Sequence, residues 1–415
     1  MRVLILNLGY PPNTIGGAEL LVQLLAREFV RRGIRTSVVS LSQNKTDWQY
    51  NDEGVRAYFI NAHPMGIALL NPQRTALQKL LWHALGEANI WVARKLDAIL
   101  KKERPDIVHS HSLLGLSVGA WRVAEARGVP IVHTLQDYQL LCPRGTMFRR
   151  GQPCAQQCHA CALLTLRRRR ASAIPAAVVG ISNFILQAHL ACGYFPAAIP
   201  AVIPNSSTRP RVTVRSDGAS VGPLRIGFIG RLHPIKGIEL LIEALKRLPR
   251  ERYIAKIAGS GNADYEARLK RVASNLPIDF PGWVRHGQFY DQIDVLVVPS
   301  VYNEPQGLVL LEAASFGVPT IYANRGGLGE MGAEFAGFLP FDPAVPESLS
   351  DKLRYLIDTP SALARLKASI GPTPEPYKID ALFGSYSQLY EQVLRAGITA
   401  PPLHRDTLSR LTPNV

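Results

Sequence analysis

The chain has 415 residues, of which 47% are hydrophobic and 19% charged, with a formal charge of +15. That length exceeds one ordinary core and predicts two domains. The apolar content excludes a disordered chain, and no apolar run reaches the roughly 18 residues that cross a bilayer. The charge is uneven. Residues 1–210 carry 24 Lys and Arg against 11 Asp and Glu, and the remainder 23 against 21. A basic first half predicts an anionic partner: membrane phosphate, a phosphorylated substrate or nucleic acid.

The opening "MRVLILNLGYPP" is too short and too polar for a secretory signal. It reads as a first β-strand, "VLILNL", running into a glycine-rich loop. A cytoplasmic protein, or one lying on a membrane face without crossing it, is expected. "GGAELLVQLLAREFVRRG" follows, with apolar residues at helical spacing and Gly33 as the stop. Then come "TSVVSL", "DIVHSH", "PIVHTLQD", "AAVVGIS" and "AVIPN", short β-like runs, several of them separated by amphipathic stretches. This alternation predicts a parallel, doubly wound sheet over residues 1–205. Residues 206–223, rich in Ser, Gly, Pro and charge, read as a linker. The pattern restarts over 224–375 with "LRIGFIGR", "GIELLIEALKRL", "YIAKIAGSG", "ADYEARLKRVASNL", "VLVVPS" and "PTIYAN". Two such domains in tandem enclose a cleft lined by the carboxyl ends of both sheets, where ligands of such sheets bind. The helical stretch at 376–395 is expected to return to the first domain, and 398–415 reads as a loose tail.

Two carboxylates stand out in "NEPQGLVLLEAASFGVPT". Glu304 falls in the loop after the strand "VLVVPS", and Glu312 in the early part of the following helix. The helix start between them offers unpaired backbone amides at Gly307 and Leu308, suited to phosphate. A carboxylate accepts hydrogen bonds from vicinal hydroxyls such as those of a ribose. The stretch therefore suits a sugar nucleotide. Arg231 and Lys236 in "GFIGRLHPIKG" follow another strand of the same half and suit a diphosphate.

Together these motifs resemble glycosyltransferase family four, the retaining, nucleotide-sugar-dependent enzymes of GT-B fold, over residues 3–395. The Glu-X7-Glu motif falls on Glu304 and Glu312, and the "GR…KG" element on Arg231, Lys236 and Gly237. "IAGSG", "GGLGE" at 326–330 and "GGAE" at 16–19 match the family's glycine turns. The resemblance implies two Rossmann-like domains facing a central cleft. It places Glu312 on the ribose and Glu304 on donor-sugar hydroxyls. Arg231 and Lys236 would stabilise the leaving diphosphate, beside the Gly307 and Leu308 amides, while Gly16 and Gly17 would let the backbone approach the donor. The implied reaction is hexosyl or related transfer to a glycan or lipid-linked acceptor in cell-surface polysaccharide synthesis. The sequence contains no Asp-X-Asp, so no catalytic metal is expected; positive side chains and a helix dipole would replace it. No nucleic acid partner is expected. The rival readings are another sugar-nucleotide enzyme of this fold, such as an epimerase, and a silent binding protein. A dinucleotide oxidoreductase is disfavoured, because no G-x-G-x-x-G follows the first strand.

The chain departs from the family at "HTLQDY", where Gln136 precedes Asp137 and many relatives carry histidine, and at Ser206, where relatives often carry glycine. His111 then becomes the candidate cleft histidine, among His109 and His133 on neighbouring strand ends, with Asp137 as an acceptor-side group. Cys142, Cys154, Cys158 and Cys161, four of the five cysteines, are spaced to permit a structural zinc or iron–sulfur centre. "LRRRR" at 166–170 predicts contact with anionic lipid head groups.

Overall fold

The computed structural model describes residues 1–13, 17–44, 46–62, 89–206 and 222–399. Gly16, linker positions 207–221 and the tail from 400 onward lie outside those residues.

The first sheet contains β1 (Arg2–Leu6), β2 (Arg35–Leu41), β3 (Trp48–Asp52), β4 (Val55–Ile60), β5 (Ile107–Ser110) and β6 (Ile131–Leu135). After a two-stranded ribbon, β7 (Phe148–Arg149) and β8 (Gln152–Pro153), it adds β9 (Ala177–Gly180) and β10 (Ile199–Val202). Its order is β10-β9-β6-β5-β1-β2-β4-β3. All pairs are parallel except the β3–β4 hairpin at one edge. Strands β5, β6 and β9 are buried along their whole length. Helices cover both faces of the sheet, so even the polar His109, Ser110, His133 and Thr134 within these strands are buried.

The second sheet contains β11 (Leu224–Ile229), β12 (Tyr253–Ala258), β13 (Ile278–Gly282), β14 (Val295–Val298), β15 (Thr320–Ala323) and β16 (Phe338–Phe341), in the order β13-β12-β11-β14-β15-β16, all parallel. In both sheets the strand order reverses once. In the first it reverses between β1 and β5, and in the second between β11 and β14. Helices leave such a point on opposite faces and open a crevice at the strands' carboxyl ends. The residues that follow β5 are His111 and Ser112, and those that follow β14 include Ser300 and Glu304. Topology alone therefore carries both sets of candidate residues to crevices.

The chain's last described helix, Ile379–Thr399, returns to the first sheet. Leu382, Tyr386, Leu389, Tyr390 and Val393 recur at helical spacing and are buried against Val3, Ile5, Phe29 and Ile107. Each such side chain contributes about 1.5–3 kcal/mol before ordering costs. The Tyr390 hydroxyl is 2.7 Å from His109 Nδ1, and the Tyr386 hydroxyl 2.9 Å from Thr134 Oγ1. Ser206, at the start of the linker, donates to the Tyr377 carbonyl at 2.7 Å. That bond ties the linker to the turn preceding the returning helix.

Candidate active site

In the second domain, β11 ends at Ile229 and the chain turns through Gly230 and Arg231 into a short 3-10 turn, Pro234–Lys236. Gly237 closes that turn at φ +69°, and a Cβ there would lie 1.8 Å from the Pro299 carbonyl oxygen. Only glycine lets the Lys236 turn lie directly on the end of β14. Lys236 Nζ consequently sits 2.8 Å from Glu304 Oε1, and the Ser300 hydroxyl donates to the same carboxylate oxygen. Glu304 is 5% exposed. The Tyr302 ring centroid lies 5.5 Å from the ammonium. Burial alone would depress the lysine's proton affinity. The Glu304 carboxylate and Tyr302 oxygen outweigh it, so Lys236 stays charged above the ordinary lysine range. Arg231 is exposed, yet close enough for its charge to oppose that of Lys236.

Gly307 begins the helix Leu308–Ser315 at φ +105°, where a Cβ would strike Leu328 Cδ1 at 2.4 Å. The first bond of that helix runs from Leu310 N–H to Gly307 O, so the Gly307 and Leu308 amides precede the helical ladder. One turn on, Glu312 is half-buried and accepts from the Tyr290 hydroxyl at 3.4 Å. Cation, carboxylates and amides with no hydrogen-bond partner among the described residues thus lie at the carboxyl end of β14.

In the first domain, a pocket after β5 and β6 is lined by His111, Ser112, Gln136, Asp137, Gln139 and Arg168, among others. Asp137 accepts from the Gln139 amide at 2.7 Å. Burial pushes its carboxyl up to about 6, partly offset by that amide, Arg168 and Ser112. Burial also holds His111 neutral, down to about 3, so it offers a hydrogen bond and no charge. The other two histidines are committed elsewhere. His109 bonds Thr134 and Tyr390, and His133 Nδ1 is 2.9 Å from Ser110 Oγ. In the 166–170 run Arg168 donates to the Gln139 carbonyl at 2.5 Å and lines the pocket, while Arg167, Arg169 and Arg170 are exposed. Arg169 reaches the Gly193 carbonyl at 3.4 Å.

The two halves touch across the cleft. Tyr138 donates to the Asn303 carbonyl at 2.9 Å and Ser182 to the Pro305 carbonyl at 2.6 Å. A Cβ on Gly17 would come within 3.6 Å of Leu308 Cδ1, so the first helix starts opposite the free amides. Sequence reasoning brought together Arg231, Lys236, Glu304, Gly307, Leu308 and Glu312 on one side, and His111 and Asp137 on the other. It missed Ser300, Tyr302, Ser112 and Arg168. Ser300 was findable as the last residue of "VLVVPS", and Arg168 stood in the "LRRRR" run under another role; Tyr302 and Ser112 carried no signal.

The chain matches Glycosyltransferase Family 4 over residues 15–206 and Glycosyl transferases group 1 over residues 214–370. It belongs to glycosyltransferase family four. It is 29% identical over 331 residues to an uncharacterized 42.6 kDa protein in the cps region of Klebsiella pneumoniae, covering 80% of this chain and 87% of that one. Among solved structures it resembles sucrose-phosphate synthase from Thermosynechococcus elongatus, with a TM-score of 0.71, 18% identity, and coverage of 95% and 99%. It also resembles Anabaena HepE in complex with UDP-glucose, with a TM-score of 0.69, 18% identity, and coverage of 94% and 100%. The fold is GT-B, as the motifs implied.

This family-four glycosyltransferase also carries the cysteine segment. All five cysteines are free thiols. The Gly145 amide bonds the Cys142 carbonyl at 2.8 Å, and the Cys154 amide bonds the Met147 carbonyl at 2.7 Å, folding the segment back on itself. The Cys161 thiol contacts those of Cys158 and Cys142, while Cys154 lies within electrostatic reach of Cys142 and Cys158. Among the described residues, however, no group of three or more His, Cys, Asp or Glu is arranged to hold a metal ion. Likewise, no helix among the described residues is long and apolar enough to cross a membrane.

Proposed function

We propose that the protein is a retaining glycosyltransferase that moves a hexosyl or related sugar from a nucleotide-sugar donor to a glycan or lipid-linked acceptor, without a catalytic metal. One observation carries the reading. The Lys236–Glu304 pair stands at the carboxyl end of β14, beside the free amides that start the 308–315 helix. Across the cleft lies a pocket holding Asp137, whose carboxyl is pushed up to about 6 by burial. Positive charge waits on one side and a proton-handling group on the other. HepE, of the same fold, is known in complex with UDP-glucose.

The reaction would run on one face of the sugar. The bond between the anomeric carbon and the diphosphate oxygen breaks, and the acceptor oxygen bonds to the same carbon from the same side. The acceptor proton passes to the departing phosphate. Charge grows on the diphosphate as the bond breaks, and Lys236, Arg231 and the Gly307 and Leu308 amides would stabilise it. Glu304 would orient donor hydroxyls and Glu312 the ribose. Asp137 would face the acceptor.

A membrane-adjacent acceptor is favoured by Leu163, Leu164 and Leu166, which are 75%, 42% and 39% exposed beside the basic run 167–170. The relative from a cps region suits cell-surface polysaccharide synthesis. Vesicles rich in phosphatidylglycerol should retain the protein, and the double variant Leu163→Asp, Leu166→Asp should not be retained. The test of the reaction itself is release of nucleoside diphosphate from a panel of UDP-, ADP- and GDP-sugars, with proton NMR of the product's anomeric centre. Release with retained configuration is expected. Release from no donor, sugar interconversion without transfer, or an inverted centre would overturn the reading.

A further inference from the structure

Three side-chain amides connect the two domains. Asn205 Nδ2 donates to Gln136 Oε1 at 3.0 Å, and Gln136 Nε2 lies 3.3 Å from Asn205 Oδ1. Asn205 bonds Gln306 in the same reciprocal way through its backbone: its N–H donates to Gln306 Oε1 at 3.1 Å, and Gln306 Nε2 donates to its carbonyl at 3.2 Å. Asn205 and Gln306 are each 3% exposed. Asn205 is the last residue before the linker segment, and Gln306 stands two residues after Glu304. The chain therefore runs from the diphosphate side, through the hinge, to the first-domain pocket.

It ends on His111. Gln136 Nε2 is also 3.3 Å from His111 Nδ1. An amide nitrogen can only donate, so Nδ1 must accept, and a neutral imidazole then carries its proton on Nε2. Nε2 is buried and has no hydrogen-bond partner among the described residues, in a side chain that is 2% exposed and lines the pocket. A buried donor without a partner costs free energy unless something arrives to accept it.

We propose that Gln306, Asn205 and Gln136 form an interdomain relay that fixes the tautomer of His111, so that its Nε2–H is presented in the pocket to an oxygen of the bound sugar. The three amides are positioning residues. The hinge and the second domain decide which way the first-domain histidine points its proton. Its part on turnover rests on the glycosyl-transfer reading; its part on the tautomer does not.

Nitrogen-15 NMR of histidine-labelled protein, with His111 assigned through His111→Gln, reads the tautomer directly. Wild type should show Nδ1 unprotonated. The near-isosteric Gln136→Glu replaces the donor with a carboxylate and should reverse the tautomer to Nδ1–H. Gln306→Leu should leave a mixture of tautomers. In both variants turnover of the donor hydrolysed by wild type should fall about tenfold or more, since small misplacements at a reacting centre are costly. UDP affinity by calorimetry should be unchanged in both variants, although Gln306→Leu strands the Asn205 backbone groups and should melt lower; a tautomer change with intact UDP binding separates positioning from a merely structural role. Protonated Nδ1 in wild type, or a tautomer indifferent to both variants, would overturn the relay. Wild type that binds no nucleotide would sink the functional reading instead, while the tautomer measurement still decides the relay.

Discussion

Replacing Lys236 with methionine keeps the length of the side chain and removes its charge. Glu304 then holds a carboxylate with a side chain 6% exposed and no cation beside it, where Lys236, itself 23% exposed, had supplied one. Breaking a buried pair from one side costs about 3–5 kcal/mol. The Ser300 hydroxyl still donates to the carboxylate, and the lysine was partly solvated, so about 2–3 kcal/mol is expected here. At a few degrees per kcal/mol for a domain of this size, melting should drop by about 5–10 °C. Lys236 holds its proton more tightly when folded than the ordinary lysine value of 10.5, so its contribution is complete below that pH and is lost only as pH rises above it. The gap between wild type and variant should therefore stay constant from about pH 6 to 9. Turnover should fall about 100- to 1,000-fold, the usual loss when one stabilising donor is removed from a developing anion. Adding Glu304→Gln to Lys236→Met removes the stranded charge. The double variant should regain most of the lost stability and none of the turnover. Calorimetric melting and single-turnover release of nucleoside diphosphate measure the two effects. Unchanged melting in Lys236→Met, or a double variant that shows the sum of the two single losses, would refute the coupling.

Glu312→Ala should weaken nucleotide binding strongly and leave the fold intact, since the side chain is half-buried at the cleft; unchanged affinity by calorimetry would remove it from the ribose. Asp137 binds its proton more tightly when folded, so stability present below its usual value of 3.8 is lost as pH rises through about 6. Asp137→Asn should therefore melt higher than wild type at neutral pH and match it at acid pH. Chelation with EDTA should leave turnover intact, because Lys236, Arg231 and the helix amides supply the positive charge; loss on chelation with recovery on adding magnesium would contradict this.

Much of this was legible in the sequence, for a physical reason. Parallel strands buried on both faces are continuous apolar runs, and the loops at their carboxyl ends are short. "VLVVPS" and "LRIGFIGR" therefore located Glu304, Lys236 and Arg231 without any knowledge of packing. The hairpin of β3 and β4 was missed because it lies at a sheet edge, where β3 alternates exposed and half-buried residues, as a surface loop would. The returning helix was visible in its periodicity, while its partner Tyr390–His109, 281 positions apart, was not. The inward turn of one arginine was not legible in the run, because composition reports charge and not direction. Arg168 turns inward to the Gln139 carbonyl, 29 positions away. The relay through Gln136, Asn205 and Gln306 had no sequence signal, because its members come from three separate elements.

The most direct test of the central claim is a crystal structure of the protein with the nucleoside diphosphate it releases. The account predicts the ribose hydroxyls on Glu312 and the diphosphate on Lys236, Arg231 and the Gly307 and Leu308 amides, at the carboxyl end of β14. A nucleotide seated elsewhere, with the Lys236–Glu304 pair untouched, would contradict it.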